Sequence, residues 1–284
     1  MSASQVLPGI RRAVRFAPAL VVVAAALAGA APSIRPLAAS DTGRGEPCIV
    51  LVHGIGVDRS AWDAVTKRLS PRHRVLAVDL PGHGESEAVD SVRVGRIAEM
   101  LDATLEKYGI RRAVLVGHSY GGLVALAEAA AHPKRACGVS VVDIGAYLSV
   151  DPERVAEMDR LMTEHYPLFV TAVFESMSAD SSVREALKAR ARTVPQAVVS
   201  AYFRDAWHAD LRPSVKRLEA PLLVVTTAQL WPARQSWDSV RVHLGYGEAP
   251  RAMGARILQA GHFIPLDQPD SLAAALESFA RGLR

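Results

Sequence analysis

Residues 113–122 read AVLVGHSYGG. Four apolar residues with no turn former suit a strand covered on both faces. The chain then reverses through Gly117-His118-Ser119-Tyr120-Gly121-Gly122 and enters LVALAEAAA, a small-residue helix that ends before Pro133. A G-x-S-x-G sequence alone is common, but between a strand and a helix it specifies a sharp elbow. Ser119 must adopt a strained backbone there, and Gly117 and Gly121 remove the side chains that would clash. The turn lifts the Ser119 oxygen to the carboxyl edge of a sheet, in front of a helix N-terminus that favours developing negative charge.

Working outward, the same alternation recurs. Pro47–Val52 (PCIVLV) is a buried strand that ends in His53-Gly54-Ile55-Gly56, with Ser60 expected to cap the next helix. Arg74–Leu80 is a strand followed by Pro81-Gly82-His83-Gly84. Val94, Ile97, Ala98, Leu101, Leu105 and Tyr108 fall at helical spacing and Gly109 closes that helix. Arg112–Val116, Val139–Val142, Pro221–Val225 and Ala255–Gln259 are further strands. Strands alternating with amphipathic helices predict an α/β fold: a mostly parallel central sheet with helices on both faces. From 147 to 219 the pattern becomes helical throughout, as in RVAEMDRLM and YPLFVTAVFESM. The expected organisation is a core of 31–146 and 220–284 with a helical cap, 147–219, inserted after the strand that follows the elbow. Tyr147, Leu161, Met162, Tyr166, Phe169, Phe174, Tyr202 and Trp207 give the cap an apolar side, most of it for packing.

The chain has 284 residues, 50% hydrophobic and 22% charged, with a formal net charge of +4. That composition suits a globular domain with an ordinary core. Residues 1–30 stand apart. Arg11, Arg12 and Arg15 precede the uncharged run APALVVVAAALAGAA, and Ala28-Gly29-Ala30 offers a small-x-small cleavage site. This order predicts a secretory signal and a periplasmic or secreted protein, with the same segment serving as a membrane anchor if uncleaved. The apolar run is shorter than the roughly 20 residues a membrane span needs. Removing its three arginines from the 33 basic residues leaves 30 against 29 acidic ones, a net charge of +1. Nothing here marks a nucleic-acid footprint. The two cysteines, Cys48 and Cys137, each begin a predicted strand and read as small buried hydrophobes rather than a disulfide. No His/Cys spacing implies a metal, and no organic cofactor is implied.

A serine hydroxyl is a weak nucleophile and needs a base. Of nine histidines, His262 in AGHF follows the final strand, where a loop can fold back over the sheet edge. His53 and His83 sit in loops expected to shape the pocket wall, and His118 lies inside the elbow. Oxyanion donors are best supplied by backbone amides. Tyr120, directly after the nucleophile, and Ile55, directly after His53-Gly54, are the candidates.

The motifs HGIG (53–56), DLPGHGES (79–86), GHSYGG (117–122), VVDIG (141–145) and AGHFIPLDQPD (260–270), in that order, resemble the α/β-hydrolase fold superfamily, in particular its serine esterases and lipases with a helical cap. The resemblance covers about 36–284 and implies Ser119 as nucleophile, His262 as base and the amides of Ile55 and Tyr120 as oxyanion hole. It departs in two places. The family's first two strands have little room before Pro47. In most of the family the acid follows the strand Pro221–Val225 in a G-x-x-D turn, where this chain has Thr227 and Leu230. Some members keep the acid one strand earlier, which would make it Asp143 at the end of VSVV. Adjacent parallel strands would bring Asp143 to the same edge as Ser119. Asp238, or a Ser-His pair with no acid, are the alternatives.

The expected function is cleavage of an ester or related acyl bond of a small-molecule substrate through a Ser-His-Asp triad and an acyl-enzyme. C–C bond hydrolysis, lactone opening, acyl transfer and perhydrolysis are alternatives on the same fold. Haloalkane and epoxide cleavage use an Asp nucleophile in this superfamily, so Ser119 argues against them. The missing acid at Leu230 also admits a non-catalytic binding or sensing protein of the cell envelope, or a structural envelope protein held by its N-terminal segment.

Overall fold

In a computed structural model, residues 34–283 are described, so the predicted signal segment lies outside the described residues. Seven strands form one sheet in the order β1-β3-β2-β4-β5-β6-β7. These are β1 (Ala39–Thr42), β2 (Cys48–Val52), β3 (Val75–Val78), β4 (Ala113–His118), β5 (Ala136–Val142), β6 (Leu222–Thr227) and β7 (Ala252–Ile257). All pairings are parallel except β1 with β3. A single antiparallel strand therefore covers the edge where two had little room. β1 is polar and largely exposed, as an edge strand should be.

Strands β2 and β3 are apolar at every position because both faces are covered, and the alternation along the central strands assigns the faces. Ile49 and Leu51 of β2, with Val114 and Val116 of β4, pack on α1 (Asp63–Leu69) and on α11 (Pro269–Arg281) through Val65, Leu69, Leu272 and Leu276. Val50, Val52 and Leu115 face α2 (Val94–Lys107) and α3 (Tyr120–Ala131) on the other side. Gly109 closes α2 at φ +65.

Residues 152–216 fold as five helices: α4 (Pro152–Glu164), α5 (Tyr166–Phe174), α6 (Ser181–Thr193), α7 (Gln196–His208) and α8 (Arg212–Lys216). Asp151 and Asp180 cap α4 and α6 by accepting from the amides of Glu153 and Ser182. Met162, Phe169, Phe174 and Tyr202 are fully buried, so they pack the cap rather than face open solvent. After β6, α9 (Trp237–His243) precedes β7, and α10 (Ile264–Asp267) lies in the connection to α11.

Several local expectations are corrected. The cap near residue 60 is Asp58, whose carboxylate accepts from the Ser60 amide at 2.9 Å; it precedes a 3₁₀ turn, Arg59–Trp62, that leads into α1. β5 begins at Ala136 because bonding to β4 extends its register to Ala113. β7 runs from Ala252 rather than Ala255, in register with β6 from Leu222. The segment 260–270, read as a turn, contains the short helix α10.

Cys48 and Cys137 are free thiols. They lie on β2 and β5 with β4 between them, so their backbones are about two strand spacings apart, beyond disulfide reach. Burial pushes the Cys48 thiol up to about 12.

Candidate active site

Ser119 follows β4 and caps α3 with φ 51 and ψ −124, in the strained region that a residue with a side chain adopts only when its surroundings enforce it. Two bonds enforce it here: the Ser119 amide donates to Val142 O at 2.9 Å, and Ser119 O accepts from Gly122 at 2.8 Å. A Cβ on Gly117 would lie 2.0 Å from Gly121 O, so the elbow closes only on glycine. The Ser119 hydroxyl itself makes no hydrogen bond among the described residues. Nucleophile–base contacts often tighten only when substrate binds.

Asp143 follows β5 with φ 53 and is 5% exposed. A short polar side chain tolerates this left-handed backbone better than a branched one. Its amide donates to Val225 O at 2.7 Å, and its Oδ1 accepts the amide of Thr227 at 2.7 Å. Its Oδ2 lies 2.9 Å from His262 Nδ1. Strand β6, which carries Thr227 and no acid, thus contributes a backbone donor to a carboxylate seated on the neighbouring strand. Leu230 packs partly buried against the core. Asp238 lies on α9, its side chain 83% exposed and paired with Arg241 at 2.9 Å, so it does not reach the histidine.

The loop bearing His262 is held from three sides. The His118 ring, through Nε2, bonds to His262 O at 2.8 Å, with the two rings 4.8 Å apart. The Phe263 amide donates to Met177 O at 2.9 Å, and the Gly261 amide donates to Asp267 Oδ2 at 2.7 Å. Asp267 also accepts from the Ala179 amide and the Ser178 hydroxyl, which ties this loop to the connection between α5 and α6. His118 is completely enclosed, and burial holds it well below the usual histidine range, so it acts as a neutral donor.

The segment 53–56 lies directly over the elbow. A Cβ on Gly54 would meet Ser119 Cβ at 3.0 Å and His118 Nδ1 at 2.9 Å. The amides of Ile55 and Tyr120 donate to no backbone acceptor outside regular helix and strand bonding. His53 and His83, expected on the pocket wall, are instead buried braces. His53 Nε2 accepts the Leu80 amide at 2.9 Å, and His83 Nε2 accepts the Gly56 amide at 3.2 Å. Burial lowers His53 to about 4 and His83 to about 3. Asp79, also buried, accepts the amides of Arg59 at 2.7 Å and Glu85 at 2.9 Å. The DLPGHGES stretch thereby scaffolds the HGIG stretch.

Among the described residues, Asp102, Glu128 and His132 bring ligand-type atoms within 4.8 Å of one another. Arg135 Nε pairs with Asp102 at 2.6 Å and His132 with Glu128 at 3.0 Å, so two acids meet two bases. The cluster sits nine residues along α3 from Ser119, about 14 Å away.

The supports of this site pass through His118, Asp267 and Thr227, none of which the motifs mark as a brace. Each acts through a partner distant in sequence, so no local pattern could have found them.

A model of the alpha/beta hydrolase family matches residues 49–275. Over 250 residues the chain is 29% identical to 2-succinyl-6-hydroxy-2,4-cyclohexadiene-1-carboxylate synthase of Serratia proteamaculans, covering 82% of this chain and 92% of that one. It is 27% identical over 195 residues to a pimeloyl-(acyl-carrier protein) methyl ester esterase of Yersinia enterocolitica, covering 64% and 74%. A thermophilic esterase from Thermogutta terrifontis superposes with a TM-score of 0.75 at 26% identity, covering 87% and 93%. With the elbow at Ser119, the parallel sheet behind it and the matched segment spanning both, the chain belongs to the alpha/beta hydrolase family.

Proposed function

We propose that this chain is a serine hydrolase that cleaves an ester or related acyl bond of a small molecule. The observation that carries the reading is the contact of His262 Nδ1 with a buried carboxylate, Asp143, at 2.9 Å, on the sheet edge where β4 presents Ser119. With its proton on Nδ1 donated to Asp143, His262 keeps Nε2 free as a base. Ser119 attacks the carbonyl carbon, and Nε2 takes its proton and returns it to the leaving group. The amides of Ile55 and Tyr120 receive the oxyanion, and water then releases the acyl group by the same proton route. Asp143 stays ionised throughout and stabilises the imidazolium.

The esterases among the similar proteins support an ester as the bond cleaved. The ground for a non-catalytic binder was the absence of an acid at Leu230, and a carboxylate already bonded to His262 removes that ground. The test is turnover of p-nitrophenyl esters of increasing acyl length by the purified chain beside Ser119→Ala. Equal rates for the two would sink the hydrolase reading.

Export is part of the same proposal. It is supported by Arg11, Arg12 and Arg15 before the apolar run and by Ala28-Gly29-Ala30 after it. Among the described residues no helix is long and apolar enough to cross a membrane. N-terminal sequencing of the chain from an envelope fraction tests it: a start just after Ala30 supports cleavage, and an intact Met1 in the soluble cell extract argues against export.

A further inference from the structure

Two side chains of cap helix α7, Asp205 and Tyr202, reach Tyr120 and the turn at residues 81–83 after β3, and that turn braces the loop that carries Ile55. Asp205 is 10% exposed at its side chain. Its Oδ2 accepts the Tyr120 hydroxyl at 2.7 Å and the Val94 amide at 3.0 Å, so it caps α2 while it holds the first residue of α3. Tyr202 is fully buried and donates to Pro81 O at 2.9 Å. Its ring meets the Tyr120 ring edge-on at 4.7 Å and the His83 ring at 4.9 Å. His83 in turn accepts the amide of Gly56, next to Ile55, at 3.2 Å.

We propose that α7 sets the spacing of the two oxyanion amides, with Asp205 positioning that of Tyr120 and Tyr202 positioning that of Ile55. The inference rests on the serine-hydrolase reading of the site. Two donors stabilise an oxyanion only if both point at one place, and they sit on separate loops, after β4 and after β2. The two loops pack on each other through Gly54 against Ser119, and α7 adds a brace to each from the cap side. Residues 202 and 205 are three apart on one helix and share a face. One rigid helix therefore holds Tyr120 directly and the loop of Ile55 through His83. Neither residue need touch substrate; both are positioning residues. Because the grip is on α7, displacement of this helix would misaim the oxyanion hole even with Ser119, His262 and Asp143 undisturbed.

The experiment compares wild type, Asp205→Ala, Asp205→Asn, Tyr202→Phe and Ser119→Ala in the full chain. Active sites are counted by labelling with a fluorophosphonate, and kcat is expressed per labelled site. An alkyl boronic acid, whose tetrahedral serine adduct occupies the oxyanion hole, gives transition-state affinity. The product carboxylate gives ground-state affinity. Asp205→Ala and Tyr202→Phe should each lose on the order of 10- to 100-fold in kcat per site, less than the 10²–10³-fold of deleting a donor outright. KM and product affinity should stay within about twofold, while boronate affinity falls by the same factor as kcat. Asp205→Asn should recover most of the loss, since one oxygen accepts both bonds and an amide oxygen can replace it. Unchanged kcat per site and unchanged boronate affinity in both variants, with only a lowered melting temperature, would overturn the inference and leave α7 as packing. Labelling of Ser119→Ala as fast as wild type would overturn the reading of the site itself, and this inference with it.

Discussion

The carboxylate of Asp143 is shared between His262, whose Nδ1 lies 2.9 Å from Oδ2, and the backbone of Thr227, whose amide donates to Oδ1 at 2.7 Å. That arrangement dictates what an amide would do in its place. In Asp143→Asn the carbonyl oxygen must face the Thr227 donor, so the NH₂ faces His262. Nδ1 is then held as an acceptor and the proton is held on Nε2, which removes the base. Turnover should fall by up to about 10⁴-fold. Asp238→Asn, in contrast, should leave turnover at the wild-type level, because that side chain is solvent-exposed beside Arg241. Steady-state kinetics on one ester checks both.

Gly54→Ala should cost activity without unfolding the chain. The added methyl would meet Ser119 Cβ at 3.0 Å and His118 Nδ1 at 2.9 Å, so the loop must lift away from Ser119 and carry Ile55 with it. A shift approaching 1 Å corresponds to a kcat loss on the order of 10²-fold. Circular dichroism and kinetics on the same preparation separate lost chemistry from lost fold.

Acid should destabilise this protein from about pH 6.5 downward. Burial lowers His53 to about 4 and His83 to about 3, and it depresses His118 as well. The folded state therefore keeps these rings neutral while the unfolded state protonates them below about 6.5. Their stabilisation is present above 6.5 and is lost as pH falls toward the folded values. Each ring steepens the decline by about 1.4 kcal/mol per pH unit. Denaturant titrations between pH 7 and 4.5 should show a shallower slope for His83→Gln, and an unchanged slope would refute the assignment.

Glu128 should act in the opposite sense. Burial raises its carboxyl to about 7, with His132 beside it opposing the rise. Its contribution is complete below the ordinary carboxylate range and is lost as pH rises to about 7. Glu128→Gln should melt close to wild type near pH 4.5 and a few degrees above it at pH 8. Thermal melts at both pH values decide this, and a gap that does not widen with pH would sink it.

Removing the His118 donor should loosen the loop of His262. His118→Ala leaves His262 O without its 2.8 Å partner and opens a void beside Phe263, whose ring centroid lies 4.8 Å away. Turnover should fall about tenfold and stability by about 2 kcal/mol or more, the range for cavity-forming changes. His118→Gln, which retains a donor, should restore part of the turnover. Equal losses in both variants would show that the hydrogen bond plays no part.

The sequence by itself determined the elements whose causes are local. The apolar run 113–116, the glycines at 117 and 121 and the small-residue helix after them point to an elbow because glycine at both positions lets the backbone close where a Cβ would collide. The two-sided apolar strands specify a covered parallel sheet for the same kind of reason. Residues 147–219 read as helical because their periodicity never changes to that of a strand, and the helices found there run from 152 to 216. Caps and strand ends were less legible: Asp58 displaced Ser60 as the cap, and β5 and β7 start earlier than their apolar runs, because pairing with a neighbour extends a strand beyond its own composition. The sequence favours Asp143 as the acid over Asp238 or none, and the tertiary structure puts the Asp143 carboxylate against His262. Asp143 and His262 are 119 positions apart, and Tyr120 and Asp205 are 85 apart. Such contacts leave no periodicity in the chain. They depend on which strand ends lie side by side and on which face of α7 turns toward the sheet, and those are settled when the layers pack.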